Sequence, residues 1–196
     1  ELSKNGFTTD AVYCSSHPVS VDAFFTEASM RNLRMIAGKV MMDRNAPEEL
    51  LDTAQSSYDQ SKALIDIWHR KGRNLYAITP RFAPTSSPEQ LELAGALFKE
   101  SEGVYVQSHV SENLDEITWV RDLFPRAKSY LDVYSKMGLL GPCSLYGHGI
   151  HLSDKEIAMA AETGTGIVHC PTSNLFIGSG LFQYQKLREA GVSLAL

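Results

Sequence analysis

The stretch Val104-Tyr105-Val106-Gln107-Ser108-His109-Val110-Ser111-Glu112 reads as a short buried strand, Val104 to Ser108, that delivers a histidine at its C-terminal end. Glu112 follows three residues later, in the loop or at the opening of the next helix. A second run, Cys143-Ser144-Leu145-Tyr146-Gly147-His148, repeats the theme. Two imidazoles at separate strand ends, one with a carboxylate beside it, make half of a metal-hydrolase site. Taken singly, a strand-end histidine is more often a hydrogen-bonding or surface residue than a ligand. The weight therefore rests on what surrounds the pair.

Working outward, strand-like and helix-like runs alternate along the chain. The segment from Glu1 to Asn5 has the character of a helix tail stopped by Gly6. Thr8 to Cys14 is rich in β-branched and aromatic residues and predicts a strand. Ser20 to Asn32 has helical spacing, with Val21, Phe24, Phe25 and Ala28 on one face. Met35 to Met42 is the next strand. Pro47-Glu48-Glu49 starts a helix, broken once, that runs to about Lys71 and stops at Gly72. Leu75 to Thr79 is a strand. Ser87-Pro88 caps a helix that continues to about Ser101. After the His109 strand come helices over Glu112 to Asp122 and Ala127 to Met137, then the Cys143 to His148 strand. Ser153 with Glu156 is a capping box for a helix ending near Gly164. Gly166 to Cys170 is a strand, Asn174 to Gly180 a loop, Leu181 to Ala190 a helix, and Gly191 to Leu196 opens a final strand.

Seven strand signals joined by short connections, with strands apolar on both faces, predict a covered parallel sheet in an α/β fold. The absence of an obvious switch point favours a TIM-like (β/α)8 barrel over a doubly wound sheet. The rival open sheet also lacks the glycine-rich pattern of a nucleotide-binding turn. A closed barrel needs one strand more than the seven read here. The expectation is that these residues are the central part of one barrel domain, strands 2 to 8. The first strand and the end of the last unit would then belong to a longer parent.

Composition sets limits on partners and setting. The 196 residues suit one domain, and 43% apolar content permits a proper core. A formal net charge of −5 leaves no basic footprint for nucleic acid. Cys14, Cys143 and Cys170 are far apart, which is neither a disulfide framework nor a zinc knuckle, and which fits a reducing, cytoplasmic setting. No apolar run is long enough to cross a bilayer.

In a βα barrel the chemistry sits at the C-terminal ends of the strands. Those ends carry His17, Asp43 with Arg44, Arg81 with Phe82, His109 with Glu112, His148 with His151, and His169 with Asn174. His109 and His148 are candidates to hold zinc through neutral imidazole nitrogen. Glu112 is placed either to carry protons for a metal-activated water or simply to stabilise the first turn of a helix. An arginine can grip a ring carbonyl with paired hydrogen bonds, and a neighbouring aromatic can wall in a planar ring. A surface arginine beside a core phenylalanine explains the same pair. His17, His151 and His169 have no decisive spacing.

Six motifs together resemble the bacterial guanine deaminases of the amidohydrolase superfamily. They are Asn5-Gly6-Phe7-Thr8-Thr9, Met42 to Pro47, Pro80-Arg81-Phe82-Ala83-Pro84-Thr85, Ser108 to Asn113, Gly147-His148-Gly149 and His169 to Asn174. The last three are widespread in the superfamily, whereas the Arg81 stretch and the Met42 loop point to guanine. The resemblance implies a metallo-dependent hydrolase barrel and hydrolytic deamination of guanine to xanthine and ammonia. Metal-bound hydroxide would attack C2 while Glu112 shuttles protons. It implies one zinc per subunit with His109 and His148 among its ligands, Arg81 and Phe82 on the purine, and His169 and Asn174 shaping the site. It also implies a homodimer. The remaining family ligands, a His-x-His pair and an aspartate, are not among these residues, nor is the family's small β-sandwich. Two alternatives stay open: a sister hydrolase acting on another aminated heterocycle, and a non-catalytic truncated fragment.

Overall fold

A computed structural model describes residues 2–196, with side chains from Lys4 onward; Glu1 of the expected helix tail lies outside the described residues. The remainder of that tail, Leu2–Asn5, is a 3-10 turn. The chain divides into two compact units. One runs to Pro80 and resumes over Thr85–Tyr105, and the other comprises Arg81–Pro84 and Val106–Leu196.

The first unit contains β1 (Thr9–Tyr13), α1 (Pro18–Met30), β2 (Arg34–Gly38), β3 (Val40–Met41), α2 (Ala54–Trp68), β4 (Asn74–Pro80) and α3 (Pro88–Glu100). Its pairings are all parallel: β1 with β2, β2 with β4, and β3 with β4. Helix α1 starts at Pro18, two residues before the expected position, because proline's fixed φ suits a first turn. It buries Val21, Phe25 and Ala28, and Phe25 packs on Trp68 of α2 with ring centroids 5.7 Å apart. The helix expected from Pro47 is a 3-10 turn at Glu48–Leu50 followed by α2, which opens on a Thr53/Ser56 capping box. Asp43 and Arg44 leave β3, where the Asp43 carboxylate accepts the Ser87 N–H at 2.7 Å and the Ser87 hydroxyl. Asp43 thus fastens the loop to the cap of α3.

The single strand expected over Met35 to Met42 is interrupted at Lys39. Gly38 lies so close to β4 that an added Cβ would sit 1.7 Å from the Ala77 carbonyl oxygen, so only glycine fits there. Lys39 is fully buried and pairs with Asp52, which also accepts the Ser57 hydroxyl at 3.1 Å. Burial pulls the Lys39 ammonium below its ordinary range while Asp52 pulls it back up. Removing one partner of such a pair strands the other charge in the core. Lys39→Ala is expected to cost about 3–5 kcal/mol of stability, read as a lower urea midpoint at unchanged slope.

The second unit contains all but the first residue of β5 (Tyr105–Val110), with α4 (Leu114–Leu123), α5 (Tyr130–Lys136), β6 (Ser144–His148), α6 (Asp154–Thr163), β7 (Gly166–Val168), α7 (Pro171–Phe176), α8 (Tyr184–Glu189) and β8 (Ser193–Ala195). Strand β6 pairs in parallel with β5 and β7, and β7 with β8. Val106, Val110, Tyr146 and Ile167 are buried strand residues, and Tyr134 of α5 packs on Tyr146 with ring centroids 4.8 Å apart. The Ser153/Glu156 capping box is present, and Glu156 Oε1 also accepts the Leu131 N–H at 3.0 Å, which ties α6 to α5. Asn174 belongs to the short helix α7 rather than to a loop, since Pro171 at its start presets the first turn. Among the described residues no helix is long and apolar enough to cross a membrane.

Candidate active site

Histidine 109 lies inside β5, not beyond it. The ladder to β6 continues past Ser108, with His109 opposite Gly147 and Val110 opposite His148. This register brings the two imidazoles together with ring centroids 5.3 Å apart, nearly parallel at 25°. His148 closes its strand at φ +74°, a conformation that costs a non-glycine residue energy and that the surrounding contacts must hold.

The His109 Nδ1 atom is 2.7 Å from the Arg81 carbonyl oxygen. A carbonyl only accepts, so Nδ1 carries the proton and the lone pair is on Nε2, the tautomer that suits a metal ligand. Burial pushes the His109 imidazolium down to about 4, with the nearby His148 and Arg81 adding to the effect and the Arg81 carbonyl opposing it. The ring is therefore neutral near pH 7, as ligation requires.

His148 is buried as well, with Nδ1 3.2 Å from Glu112 Oε1 and 2.9 Å from Asn174 Nδ2. Burial lowers its pKa, but Cys170, Glu112 and Asn174 together outweigh burial and hold it above the ordinary value. The Cys170 thiol is displaced downward in return, because His148 overcomes the upward push of its own burial. Glu112 sits in the β5–α4 loop before the helix. Its N–H donates to Glu116 Oε2 at 3.0 Å, and Ser173 reaches its Oε1 at 3.5 Å. The capping box of α4 is made by Asn113 and Glu116, so Glu112 is spared the helix-capping task and its carboxylate faces His148.

Arg81 and Phe82 join the same cluster. The Arg81 guanidinium lies over the Phe82 ring at 4.8 Å, and Phe82 meets Trp119 of α4 edge-on at 6.1 Å. Asn174, expected only to border the site, touches His148 directly. His169 stacks on Phe182 at 4.4 Å, and its N–H donates to Ala195. His151 is engaged through Nε2 with the Ser179 carbonyl at 2.8 Å. His17 is an exposed residue at the start of α1 in the other unit. Sequence reasoning missed Cys170, Glu116 and Trp119. Of these only Glu116 carried a signal, the Asn-x-x-Glu spacing of a capping box.

Zinc calls for imidazole nitrogen in its neutral form: His109 meets that condition as it stands, whereas His148, whose neighbours favour its protonated form, would have to release a proton to meet it. Among the described residues no group of three or more His, Cys, Asp or Glu side chains is arranged to hold a metal ion.

Parallel βα units with imidazoles and a carboxylate gathered where β5 and β6 end are the arrangement of the TIM-type barrel class, in which polar groups collect at the strand ends. The Amidohydrolase family model matches residues 1–196, and the chain belongs to that family. The guanine deaminase of Escherichia coli K12 is 54% identical over 196 residues, covering 100% of this chain and 45% of the relative. The probable guanine deaminase of Deinococcus radiodurans is 43% identical over 195 residues, covering 100% and 44%. The E. coli enzyme's solved structure aligns with a TM-score of 0.96 over 97% of this chain and 45% of the other. That of C. acetobutylicum guanine deaminase, with guanine bound in its active site, aligns at 0.92 and 35% identity over 98% and 46%. These likenesses show the expected (β/α)8-barrel class of fold. The chain spans less than half the length of these relatives.

Proposed function

We propose that this chain carries the strand-end site of a zinc-dependent enzyme that deaminates guanine hydrolytically, giving xanthine and ammonia. The observation that carries the proposal is the Glu112 carboxylate 3.2 Å from His148, beside a His109 whose tautomer is set by the Arg81 main chain. The likeness to named guanine deaminases supports the choice of substrate.

Zinc, when bound, would supply the Lewis acidity that makes an attacking water available near neutral pH. His109, and with it His148, would hold the ion as part of a larger ligand set. Glu112 would take the proton released by the water and deliver it to a ring nitrogen, and would then carry the proton of the new C2 hydroxyl to the amino group, which departs as ammonia as the C2 carbonyl forms. Arg81 would donate paired hydrogen bonds to the carbonyl side of the purine, with Phe82 against its face, so that C2 points toward the metal. Asn174 would hold the His148 ring, and His169, stacked on Phe182, would line the approach. The reading includes one zinc per subunit, a homodimer and a cytoplasmic setting. It places these residues as the central units, strands 2 to 8, of one barrel domain.

The test is to incubate the parent protein with guanine and measure xanthine and ammonia together with zinc content. Release of both products by zinc-loaded protein is the expected result. Turnover of a triazine, pterin or cytosine in place of guanine would overturn the substrate assignment. Arg81→Ala is expected to raise KM for guanine by about 10- to 100-fold, the loss of one or two charge-assisted hydrogen bonds, with zinc content unchanged.

A further inference from the structure

Two tyrosines on α5 reach the site from behind, four residues apart and stacked with ring centroids 5.8 Å apart. Neither side chain can touch a substrate, since Tyr134 is fully buried and Tyr130 nearly so. Their hydroxyls are near enough to interact with each other, and each also reaches a different part of the machinery. The Tyr134 hydroxyl donates to the His109 main-chain carbonyl at 2.9 Å and accepts the Ala83 N–H at 2.9 Å. The Ser108 hydroxyl is 3.0 Å from the same oxygen and 3.3 Å from the Arg81 carbonyl. One phenol oxygen thus pins the Arg81–Pro84 segment to the end of β5. The Tyr130 hydroxyl donates to Glu116 Oε1 at 2.6 Å, and Glu116 Oε2 accepts the Glu112 N–H at 3.0 Å and the Asn113 N–H at 3.4 Å. That second chain of contacts ends at Glu112. Helix α5 is itself fastened, by its Ser129 cap and by Glu156 on the Leu131 N–H.

We propose that Tyr134 and Tyr130 are positioning residues with separate tasks: Tyr134 sets where Arg81 stands relative to His109, and Tyr130, through Glu116, sets where Glu112 stands. The inference deepens the deaminase reading and rests on it. The physical ground is that each hydroxyl adds a fixed contact from α5, the Tyr134 one to the main chain at Ala83 and His109, the Tyr130 one to the Glu116 carboxylate that holds the Glu112 N–H. Displacements of an ångström at a reacting group change rates by orders of magnitude. A shift of Arg81 weakens the hold on the purine in ground and transition states alike, and so appears in KM. A shift of Glu112 affects proton movement in the transition state, and so appears in kcat.

Tyr134→Phe and Tyr130→Phe in the parent protein, with Tyr76→Phe as a comparator, separate these tasks from general stability. Tyr76 is equally buried, and its hydroxyl accepts the Lys39 N–H within the first unit at 3.3 Å. For Tyr134→Phe we expect KM for guanine to rise and the affinity for xanthine, read by calorimetry, to fall, each by about 10-fold, with kcat little changed. For Tyr130→Phe we expect kcat to fall by about 10-fold with KM and xanthine affinity retained. Zinc content stays at the parent level in both, and Tyr76→Phe keeps both kinetic constants while losing thermal stability. Equal losses in the two tyrosine variants, no loss in either, or loss of zinc would overturn the division of tasks while leaving the deaminase reading intact. A zinc-loaded parent protein with no activity on guanine would overturn the deaminase reading itself, and this inference with it.

Discussion

Glu112→Gln is expected to lower kcat for guanine by about 10²- to 10⁴-fold, the range for loss of a general acid–base group. KM and zinc content should stay close to those of the parent. The substitution is nearly isosteric, and the fold does not depend on the charge. The helix cap beside it is made by Asn113 and Glu116, and the Glu112 contact to Glu116 runs through the main chain. A glutamine oxygen can still face Nδ1 of His148 and the Ser173 hydroxyl. What it cannot do is accept a proton from water and pass it on. Single-turnover kinetics on guanine, paired with metal analysis, make the measurement. Full activity in this variant would remove Glu112 from the mechanism.

His109→Ala should act one step earlier. It removes a neutral imidazole whose Nδ1 is committed to the Arg81 carbonyl and whose Nε2 has the lone pair a metal needs. Zinc content is expected to fall to a small fraction of the parent's. Guanine turnover should fall by about 10³-fold or more, since the Lewis acidity lost is equivalent to several kcal/mol of transition-state stabilisation. The same metal analysis on His148→Ala distinguishes two roles for that residue. Lost zinc would make His148 a ligand. Retained zinc with low kcat would make it the partner that orients Glu112, a role its 3.2 Å contact also suits. Zinc retained in full by His109→Ala would refute the assignment of His109.

Much of the fold was legible because its signals are local. Proline at the head of α1 and α3, the Ser153/Glu156 box and the glycines after the helices act within a turn of themselves. Element type followed from them, but strand ends did not. Where β5 stops depends on how far β6 runs beside it, which set His109 within the ladder instead of past it. Lys39 looked like one cation in an apolar strand. Its burial and its pairing with Asp52 arise from a loop that returns to cover it. The site was legible in the same uneven way. Histidines and a glutamate near strand ends mark chemistry by type, whereas the tyrosines on α5 look like any helix core until their hydroxyls are placed.

By itself the sequence determined the alternation of strand and helix, the family motifs, and the identity of the residues on which the proposed chemistry depends. Those are properties of composition and near-neighbour spacing, and they need no knowledge of what lies across the sheet. The tertiary structure alone decided the stacking of His109 on His148, the turn of Glu112 toward His148, and the Arg81 carbonyl that sets the His109 tautomer. Each depends on strand register or on a contact between residues more than twenty positions apart. Such contacts are made by packing, which a linear pattern does not encode residue by residue.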